Sequence, residues 1–244
     1  MTKLAVACLG SGAALGGTRL WSSLLLDDRI LLSIPPTAIP GMYRLGKDLT
    51  DIDVIFISHC HADHFFGLPF FFLLYRFVCE RDAPVFIVGP DGIQDATLRL
   101  GALAWPELVE NGIVPRVPIE YVEIEKEGEY RAGDLRFRAI GMQHFGAKAF
   151  GYRFSYQGRE IAYTGDTEAG PHLDRLTSGA DLVVTEWTYT GVQGKPGHLC
   201  SADIADLAAR LSASHATILA SHLGGNPEPI KGVIVCRDGE TYWV

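Results

Sequence analysis

The sequence lacks the features of several common protein classes. Its five cysteines are odd in number, widely scattered and without a Cys-x-x-Cys pair, which argues against a disulfide framework and for a reducing compartment. Basic residues are few, since 21 lysines and arginines stand against 29 acidic residues and give a net charge of −8. Because binding a long nucleic acid requires many clustered positive charges, this balance counts against a large polyanionic partner.

No segment has the pattern of an export signal or a membrane span. Residues 1–6 lead directly into a strand-like run, without the basic start and long apolar core of a signal peptide. The longest apolar stretch, 65–79, contains Pro69 and Arg76 and is too short to cross a bilayer. We expect a cytoplasmic protein without a membrane partner, in which this stretch is a buried helix. Its aromatic residues could instead line a substrate cleft or a subunit interface, such as that of a homodimer.

Short β-rich runs alternate with helical patterns, which predicts an α/β fold. Strands are predicted over residues 3–9, 23–33, 53–57, 85–88, 119–125, 134–141, 149–156, 159–163, 180–185 and 216–220, and helices over 91–103 and 202–212. A Pro-rich passage at 111–118 predicts a loop near the midpoint. Residues 232–244 predict a closing hairpin that turns at Asp238-Gly239.

The length of 244 residues is enough for one large domain or two fused half-domains. The recurrence of strands after the midpoint favours a single domain, 1–244, made of two similar halves at about 1–118 and 119–244. We find no tandem repeat and no low-complexity segment.

Four potential metal donors stand close together in His59-Cys60-His61-Ala62-Asp63-His64. The run 53–58 before them reads as a buried strand, so the donors lie on the loop at its carboxyl end, where α/β proteins place functional residues. Side chains two positions apart point the same way in extended chain, so His59 and His61 can share one ion while Asp63 and His64 turn towards a second. Cys60 points away from its neighbours and is not counted as a ligand. The spacing predicts two metal ions.

Three further donors follow predicted strands in the second half: His144, Asp166 and His222. Donors at several strand ends on one edge of a sheet can converge even when they are far apart in the sequence. Each is a weak signal alone, but together with the first motif they become candidate ligands. His172 and His215 match no motif position and are expected to be structural or surface residues.

Three motifs resemble the metallo-β-lactamase superfamily, and within it the ribonuclease Z and small phosphodiesterase branch. They are Leu9-Gly10-Ser11-Gly12-Ala13, the run from Ser58 to Pro69, and Tyr163-Thr164-Gly165-Asp166-Thr167. The resemblance implies an α/β fold of the αβ/βα four-layer sandwich type, with a dinuclear site along one edge. It implies that one metal is held by His59, His61 and His144, the other by Asp63, His64 and His222, and that Asp166 bridges them.

A further signature of that branch is present at Glu186-Trp187-Thr188 and His198-Leu199-Cys200-Ser201. The resemblance makes His198 a general acid, with Glu186 positioned to orient or charge its ring, a role that suits an imidazole near neutral pH. With Asp63, these are the predicted catalytic residues. Alternatively, His198 is a loop residue before a helix that Ser201 caps.

The chain departs from the family pattern in two places. An Asp-Gly turn usual after the second strand is replaced by Leu31-Leu32-Ser33-Ile34-Pro35-Pro36, so we expect the loop that supports the site to be built differently. The family's basic tRNA-gripping arm should lie between the third histidine and the bridging aspartate, but His144 and Asp166 are only 22 positions apart. The arm is therefore expected to be absent.

These features predict a dinuclear-metal hydrolase, most simply a phosphodiesterase for a small or nucleotide-type substrate. Two Zn(II) ions, or Mn(II) or Fe(II), would lower the pKa of a water towards ~7 for attack at phosphorus. The same site could instead hydrolyse a carboxylic ester, lactone or thioester, cleave tRNA at its 3′ side as ribonuclease Z does, or support iron-based oxygen and sulfur chemistry. A metal-binding module without turnover is disfavoured, because it would need no proton donor.

Overall fold

The computed structural model describes residues 3–78, 81–107, 118–192 and 195–244. The strands are β1 (Ala5–Gly10), β2 (Ser23–Leu26), β3 (Ile30–Leu32), β4 (Val54–Phe56), β5 (Val85–Pro90), β6 (Ile119–Ile124), β7 (Gly128–Ala132), β8 (Leu135–Met142), β9 (Ala149–Tyr156), β10 (Arg159–Tyr163), β11 (Leu182–Trp187), β12 (Thr217–Leu223), β13 (Val233–Val235) and β14 (Thr241–Trp243). The α-helices are α1 (Ala38–Arg44), α2 (Ala62–Phe65), α3 (Leu68–Phe77), α4 (Ile93–Ala104), α5 (Pro171–Thr177) and α6 (Ser201–Leu211), and 3-10 turns span Leu49–Asp51 and Ser212–Ser214. The predicted loop at 111–118 lies, except for Pro118, outside the described residues.

The strands form two seven-stranded sheets with the same internal pattern. The first has the order β14-β1-β2-β3-β4-β5-β6 and the second the order β13-β12-β11-β10-β9-β8-β7. In each sheet, four neighbouring strands pair antiparallel, and the last of them begins a group of four parallel strands. In the first sheet the antiparallel group is β14-β1-β2-β3 and the parallel group is β3-β4-β5-β6. In the second sheet the antiparallel group is β7-β8-β9-β10 and the parallel group is β10-β11-β12-β13. The carboxyl-terminal strand β14 therefore occupies the edge position that β7 occupies in the other sheet.

The two sheets pack face to face around an aromatic core. Phe56 of β4 stacks on Phe154 of β9 with 5.2 Å between ring centroids, and it meets Phe137 of β8 edge to face at 5.2 Å. The outer face of the first sheet is covered by α1, α3 and α4, and that of the second by α5 and α6. Helices thus lie outside both sheets, and the predicted α/β four-layer αβ/βα sandwich is confirmed.

The structure corrects two predicted elements. Residues 23–33 are not one strand but the antiparallel pair β2 and β3, because Asp27 and Asp28 adopt left-handed backbone angles and reverse the chain. Residues 232–244 do not form a hairpin. β13 pairs with β12 in the second sheet while β14 pairs with β1 in the first, so the chain crosses between the sheets.

The sequence patterns also missed β7, α1 and α5. The apolar stretch 65–79, as far as it is described, consists of the last residue of α2 and the helix α3. It is mainly core, since Leu68, Phe71 and Tyr75 are fully buried. Phe70 and Phe77 remain exposed, and a homodimer interface there stays a prediction. Within the described ranges no helix has both the length and the hydropathy that crossing a membrane would need.

The crossing between sheets is held by Asp238. Its carboxylate accepts hydrogen bonds from the backbone N–H of Ser11 (2.8 Å), the Ser11 hydroxyl (2.7 Å) and the backbone N–H of Leu20 (2.7 Å). We expect Asp238→Ala to lower the free energy of unfolding by about 2–3 kcal/mol, because hydrogen bonds to a charged acceptor are the stronger ones. Urea denaturation measures this loss.

Asp238→Asn is the matched control. It keeps the shape and one acceptor oxygen, so its loss should be clearly smaller than that of alanine. Equal stability of the alanine variant and the unmodified protein would show that these three bonds do not hold the crossing.

Candidate metal centre

The predicted donors lie at the carboxyl ends of strands from both sheets. After β4, the loop carries His59 and His61 and the short helix α2 carries Asp63 and His64, while in the second sheet the loops after β8 and β10 carry His144 and Asp166. Glu186 lies in β11, His222 in β12, and His198 just before α6. The structure brings all nine of these residues together at one edge of the sandwich, where their donor atoms form overlapping groups.

Local backbone geometry directs two of these donors into the site. Gly165, next to Asp166, has a φ of +58°, and a Cβ at this position would overlap the side chain of Ser58, so only glycine allows this close approach. His222 is an extra residue in the pairing of β12 with β11, because Glu186 pairs with Ser221 and Trp187 with Leu223. This bulge, with φ +52° at His222, turns the imidazole towards the strand ends.

The first donor group consists of His59, His61 and His144. His61 Nδ1 and His144 Nε2 lie 3.0 Å apart, and the rings of His59 and His61 meet at a centroid distance of 4.4 Å. The other nitrogens are used to orient the rings. Nδ1 of His144 donates to the carbonyl of Gly197 at 2.7 Å, and Nδ1 of His59 lies 3.0 Å from the Ser58 hydroxyl.

The second donor group consists of Asp63, His64 and His222. His222 Nε2 lies 3.2 Å from Asp63 Oδ2, and its Nδ1 lies 2.9 Å from the Thr188 hydroxyl. Asp166 stands between the two groups. Its Oδ2 lies 3.3 Å from Nε2 of both His64 and His222 and 4.0 Å from Nε2 of His144.

Two buried imidazole nitrogens, one in each donor group, show that this cluster suits a metal ion. Nε2 of His59 has no hydrogen-bond partner, although buried polar atoms are normally paired. Nε2 of His64 makes no well-aligned hydrogen bond but faces two carboxylates, with Asp166 Oδ2 at 3.3 Å and Asp63 Oδ2 at 3.7 Å. Imidazole nitrogens with carboxylate oxygens are a preferred donor set for zinc and similar divalent ions. The residues therefore fit a divalent metal.

The pKa shifts at the site arise from two opposing effects: burial of the histidines and aspartates, and the electrostatic interactions between them. Burial lowers the pKa of His59, helped by His64, and burial also lowers the pKa of His144. Burial acts in the same direction on His222, but the charge of Asp166 and the hydrogen bond to Asp63 outweigh it and raise its pKa to about 9. For Asp166, burial opposes ionisation, yet His222 and His64 hold its pKa well below the usual range. Burial also opposes ionisation of Asp63, but the hydrogen bond to His222 and the charge of His64 outweigh it and lower its pKa, so both aspartates stay ionised as acceptors.

His198 is held beside the donor groups by Glu186. Its Nδ1 lies 3.0 Å from both carboxylate oxygens of Glu186 and 3.2 Å from the Thr188 hydroxyl. Burial opposes protonation of the ring, but the hydrogen bond and charge of Glu186 outweigh it, so the pKa of His198 is raised above its ordinary value. Cys200 rather than Ser201 occupies the N-cap position of α6, so the expectation that Ser201 caps this helix is wrong, whereas His198 does lie in the loop before it.

Three residues that support the site were missed by the sequence analysis: Ser33, Tyr163 and Thr188. The Ser33 hydroxyl lies 2.9 Å from His64 Nδ1 and 2.7 Å from the Tyr163 hydroxyl. Ser33 follows β3, at the position where the family's Asp-Gly turn is absent. The missing turn indicated that the site is supported differently there, but it did not identify Ser33 as the residue that contacts His64. Thr188 lies within the recognised Glu-x-Thr run and contacts His222, His198 and Glu186.

The remaining candidates lie outside the donor groups. His172 is buried, and its Nε2 contacts the Thr167 hydroxyl at 2.9 Å and the Glu168 carbonyl at 3.0 Å, next to the loop of Asp166. His215 is exposed on a turn, and Cys60 is exposed. A cavity of about 490 Å³ lies away from the donor groups. Arg29 and Arg81, which line this cavity, both form ion pairs with Asp53.

Comparison with known proteins agrees with this geometry. Residues 32–222 match the profile of the beta-lactamase superfamily domain. The chain belongs to this superfamily. A curated relative, ribonuclease Z of Staphylococcus saprophyticus, is 35% identical over 113 residues, which is 45% of this chain and 32% of the relative. The chain thus spans about a third of the length of that relative.

Two solved structures show the same fold as this superfamily member. The short form of human tRNase Z has a TM-score of 0.77 at 21% identity and covers 98% of each chain. A diphosphatase of the PhnP family has a TM-score of 0.71 at 19% identity, with 98% of this chain and 97% of that chain covered. These likenesses confirm the metallo-β-lactamase fold predicted from the motifs.

The contact of Ser33 with His64 generates a prediction. We expect Ser33→Ala to weaken Zn(II) binding by about 10-fold to 100-fold, because groups that orient a ligating imidazole have effects of this size. Calorimetric titration of the metal-free protein with Zn(II) measures the change. Ser212→Ala, which removes a hydroxyl that donates to the Ala209 carbonyl at the end of α6, is the control. Unchanged affinity in Ser33→Ala would mean that the hydroxyl does not orient His64.

Proposed function

We propose that this protein is a phosphodiesterase that uses two divalent cations, with Zn(II) preferred and Mn(II) or Fe(II) as substitutes. One observation carries the proposal. The carboxylate of Asp166 lies between two three-residue donor groups and also 3.7 Å from Nδ1 of His198. A pair of metal sites beside a proton donor supports metal-assisted hydrolysis of a phosphodiester, in which the cations stabilise the attacking and leaving oxygens and the acid protonates the leaving group.

The proposed ligands follow the two donor groups. His59, His61 and His144 would hold one cation, Asp63, His64 and His222 would hold the other, and Asp166 would offer its carboxylate to both. When bound, the cations acidify a water molecule and offset the negative charge of the phosphodiester. Imidazole and carboxylate donors without a thiolate favour Zn(II), Mn(II) or Fe(II).

His198 supplies the proton to the leaving oxygen in this proposal. Glu186 holds Nδ1, which leaves Nε2 as the nitrogen that can donate to substrate. Burial raises the pKa of Glu186, opposed by its hydrogen bond to His198, and the raised pKa of His198 keeps a proton on the pair near neutral pH. Glu186 is also fixed by the backbone N–H of Thr167 at 2.7 Å, so the imidazole is oriented before substrate arrives.

The geometry favours a small or short nucleotide-type substrate over tRNA. Between His144 and Asp166 the chain forms only the β9–β10 hairpin, with Gln157-Gly158 as its turn, so no arm is inserted there. The cavity at the donor groups has a volume of about 300 Å³ and no lysine or arginine among its described lining residues. Cleavage of tRNA by a ribonuclease Z-type reaction is the less favoured function.

The same lack of basic residues favours one second candidate. A carboxylic ester, lactone or thioester is uncharged at the reacting group and needs no basic pocket. A panel that shows turnover of lactones or thioesters and none of phosphodiesters would select this function instead.

Metal dependence is the first test of the proposed function. We expect about two Zn(II) per chain by elemental analysis and hydrolysis of bis-p-nitrophenyl phosphate that chelation abolishes. His61→Ala and Asp63→Ala, one from each donor group, should reduce this hydrolysis to background, because each removes a ligand of one cation. His215→Ala removes an exposed histidine outside the site and is the control. Full activity in both ligand variants would refute the proposal.

The role of His198 is tested by changing the leaving group. We expect His198→Ala to slow hydrolysis of an alkyl nucleotide diester by about 10²-fold to 10⁴-fold, the usual contribution of a general acid. A p-nitrophenyl ester should be slowed much less, since p-nitrophenolate leaves without a proton. Equal losses on both substrates, at unchanged metal content, would assign His198 to structure rather than proton transfer.

A further inference from the structure

The mouth of the site cavity is apolar although its floor is charged. Its described lining combines His198 and five of the metal donors with the apolar or aromatic side chains of Leu15, Phe145 and Tyr189. Leu15 and Phe145 are 94% and 60% exposed. A phosphodiester group bound at the floor would therefore place its substituents against apolar side chains.

Phe145 is held in its exposed position by the backbone around it. Its φ is +47°, a conformation that a bulky side chain rarely adopts, and its ring packs on Gly197, where any Cβ would overlap it. Gly197 is fixed in turn, since its N–H donates to Glu168 at 2.7 Å and its carbonyl accepts from His144. Backbone strain and an exposed aromatic ring both cost free energy, and such costs concentrate at functional sites.

Phe145 and Tyr189 both pack against the imidazole ring of His198. The ring centroids of Phe145 and Tyr189 lie 5.4 and 5.7 Å from that of His198, at interplanar angles of 75° and 86°. Tyr189 is fixed by its backbone, whose N–H donates to the Leu199 carbonyl at 3.0 Å. Both rings are thus edge-on neighbours of the residue that faces the leaving group.

We propose that Phe145 and Tyr189 bind a flat aromatic ring on the leaving group of the substrate, a nucleobase or an aryl group. This proposal rests on the function proposed above and specifies its substrate class. Stacking on an aromatic side chain tolerates any flat ring, because every base presents a π-face. The two rings select for shape and apolar surface at the point where His198 delivers its proton.

Direct binding measurements test the proposal without turnover. We expect the zinc-loaded protein to bind phenylphosphonate about 10-fold to 100-fold more tightly than methylphosphonate, the range that stacking of one ring provides. Phe145→Leu and Tyr189→Leu, which keep apolar volume and lose the ring, should reduce this ratio at least several-fold. Tyr189→Phe, which keeps the ring, should preserve it. Calorimetry gives both constants, and elemental analysis confirms that the variants retain their metals.

The outcomes separate the two proposals. If bis-p-nitrophenyl phosphate is hydrolysed but the ratio of the two phosphonates is near one, or is unchanged in both leucine variants, the aromatic site is wrong and the phosphodiesterase stands. If neither phosphonate binds and no phosphodiester is hydrolysed, both proposals fall. A comparison of uridine 3′-phosphate esters with phenyl esters then distinguishes a nucleobase from an aryl ring, since the preferred ring should show the larger loss in Phe145→Leu.

Discussion

The site depends on the burial of one carboxylate, that of Asp166, among imidazoles. Removing a charge from water is costly unless it is compensated, and Asp166 is only 2% exposed. Its compensation comes from His64, His222, His144 and His198, all of which have a nitrogen within 4.0 Å of its Oδ2. Because an imidazole can be neutral, protonated or metal-bound, a cation that binds in this cluster would displace protons from it.

The symmetry of the two sheets explains how so many donors meet. Each sheet has an antiparallel group followed by a parallel group, and the parallel strands of both present their carboxyl ends at the same edge of the sandwich. In the first sheet, the donors come from the single segment that follows β4, whereas in the second sheet they lie in or directly after β8, β10, β11 and β12. The motif at 59–64 must therefore be dense, since one connection has to provide four donors.

Much of this arrangement could be predicted from the sequence, for physical reasons. Buried parallel strands are continuous apolar runs, so the strand before His59 and those before Asp166 and His222 were visible, and the donors after them were found. Two errors arose where apolar content masked a turn or a change of sheet: Asp27-Asp28 splits 23–33, and 232–244 divides between β13 and β14. The edge strand β7 escaped detection because it has only two apolar side chains, those of Tyr130 and Ala132, to pack against the core.

The supporting contacts could not be predicted because they join distant segments. Ser33 meets His64 across 31 positions, and Thr188 meets His222 across 34. No periodicity records such a pairing, since it depends on how two loops approach one another. A departure from a family motif shows where a support is missing, but only the packed chain shows which hydroxyl replaces it.

Backbone strain at the site is evidence of its rigidity. Among the described residues, seven non-glycine residues have positive φ, and three of these, Ser33, Phe145 and His222, lie at the site. Such conformations cost on the order of 1–3 kcal/mol each and persist only where neighbours fix them. The Ser33 N–H donates to Phe56 O, the Phe145 ring packs on Gly197, and the Thr188 hydroxyl contacts His222 O. Since each strained residue is fixed by a different segment, the donors, their support and the apolar mouth are preorganised together, and a change in one should be transmitted to the others.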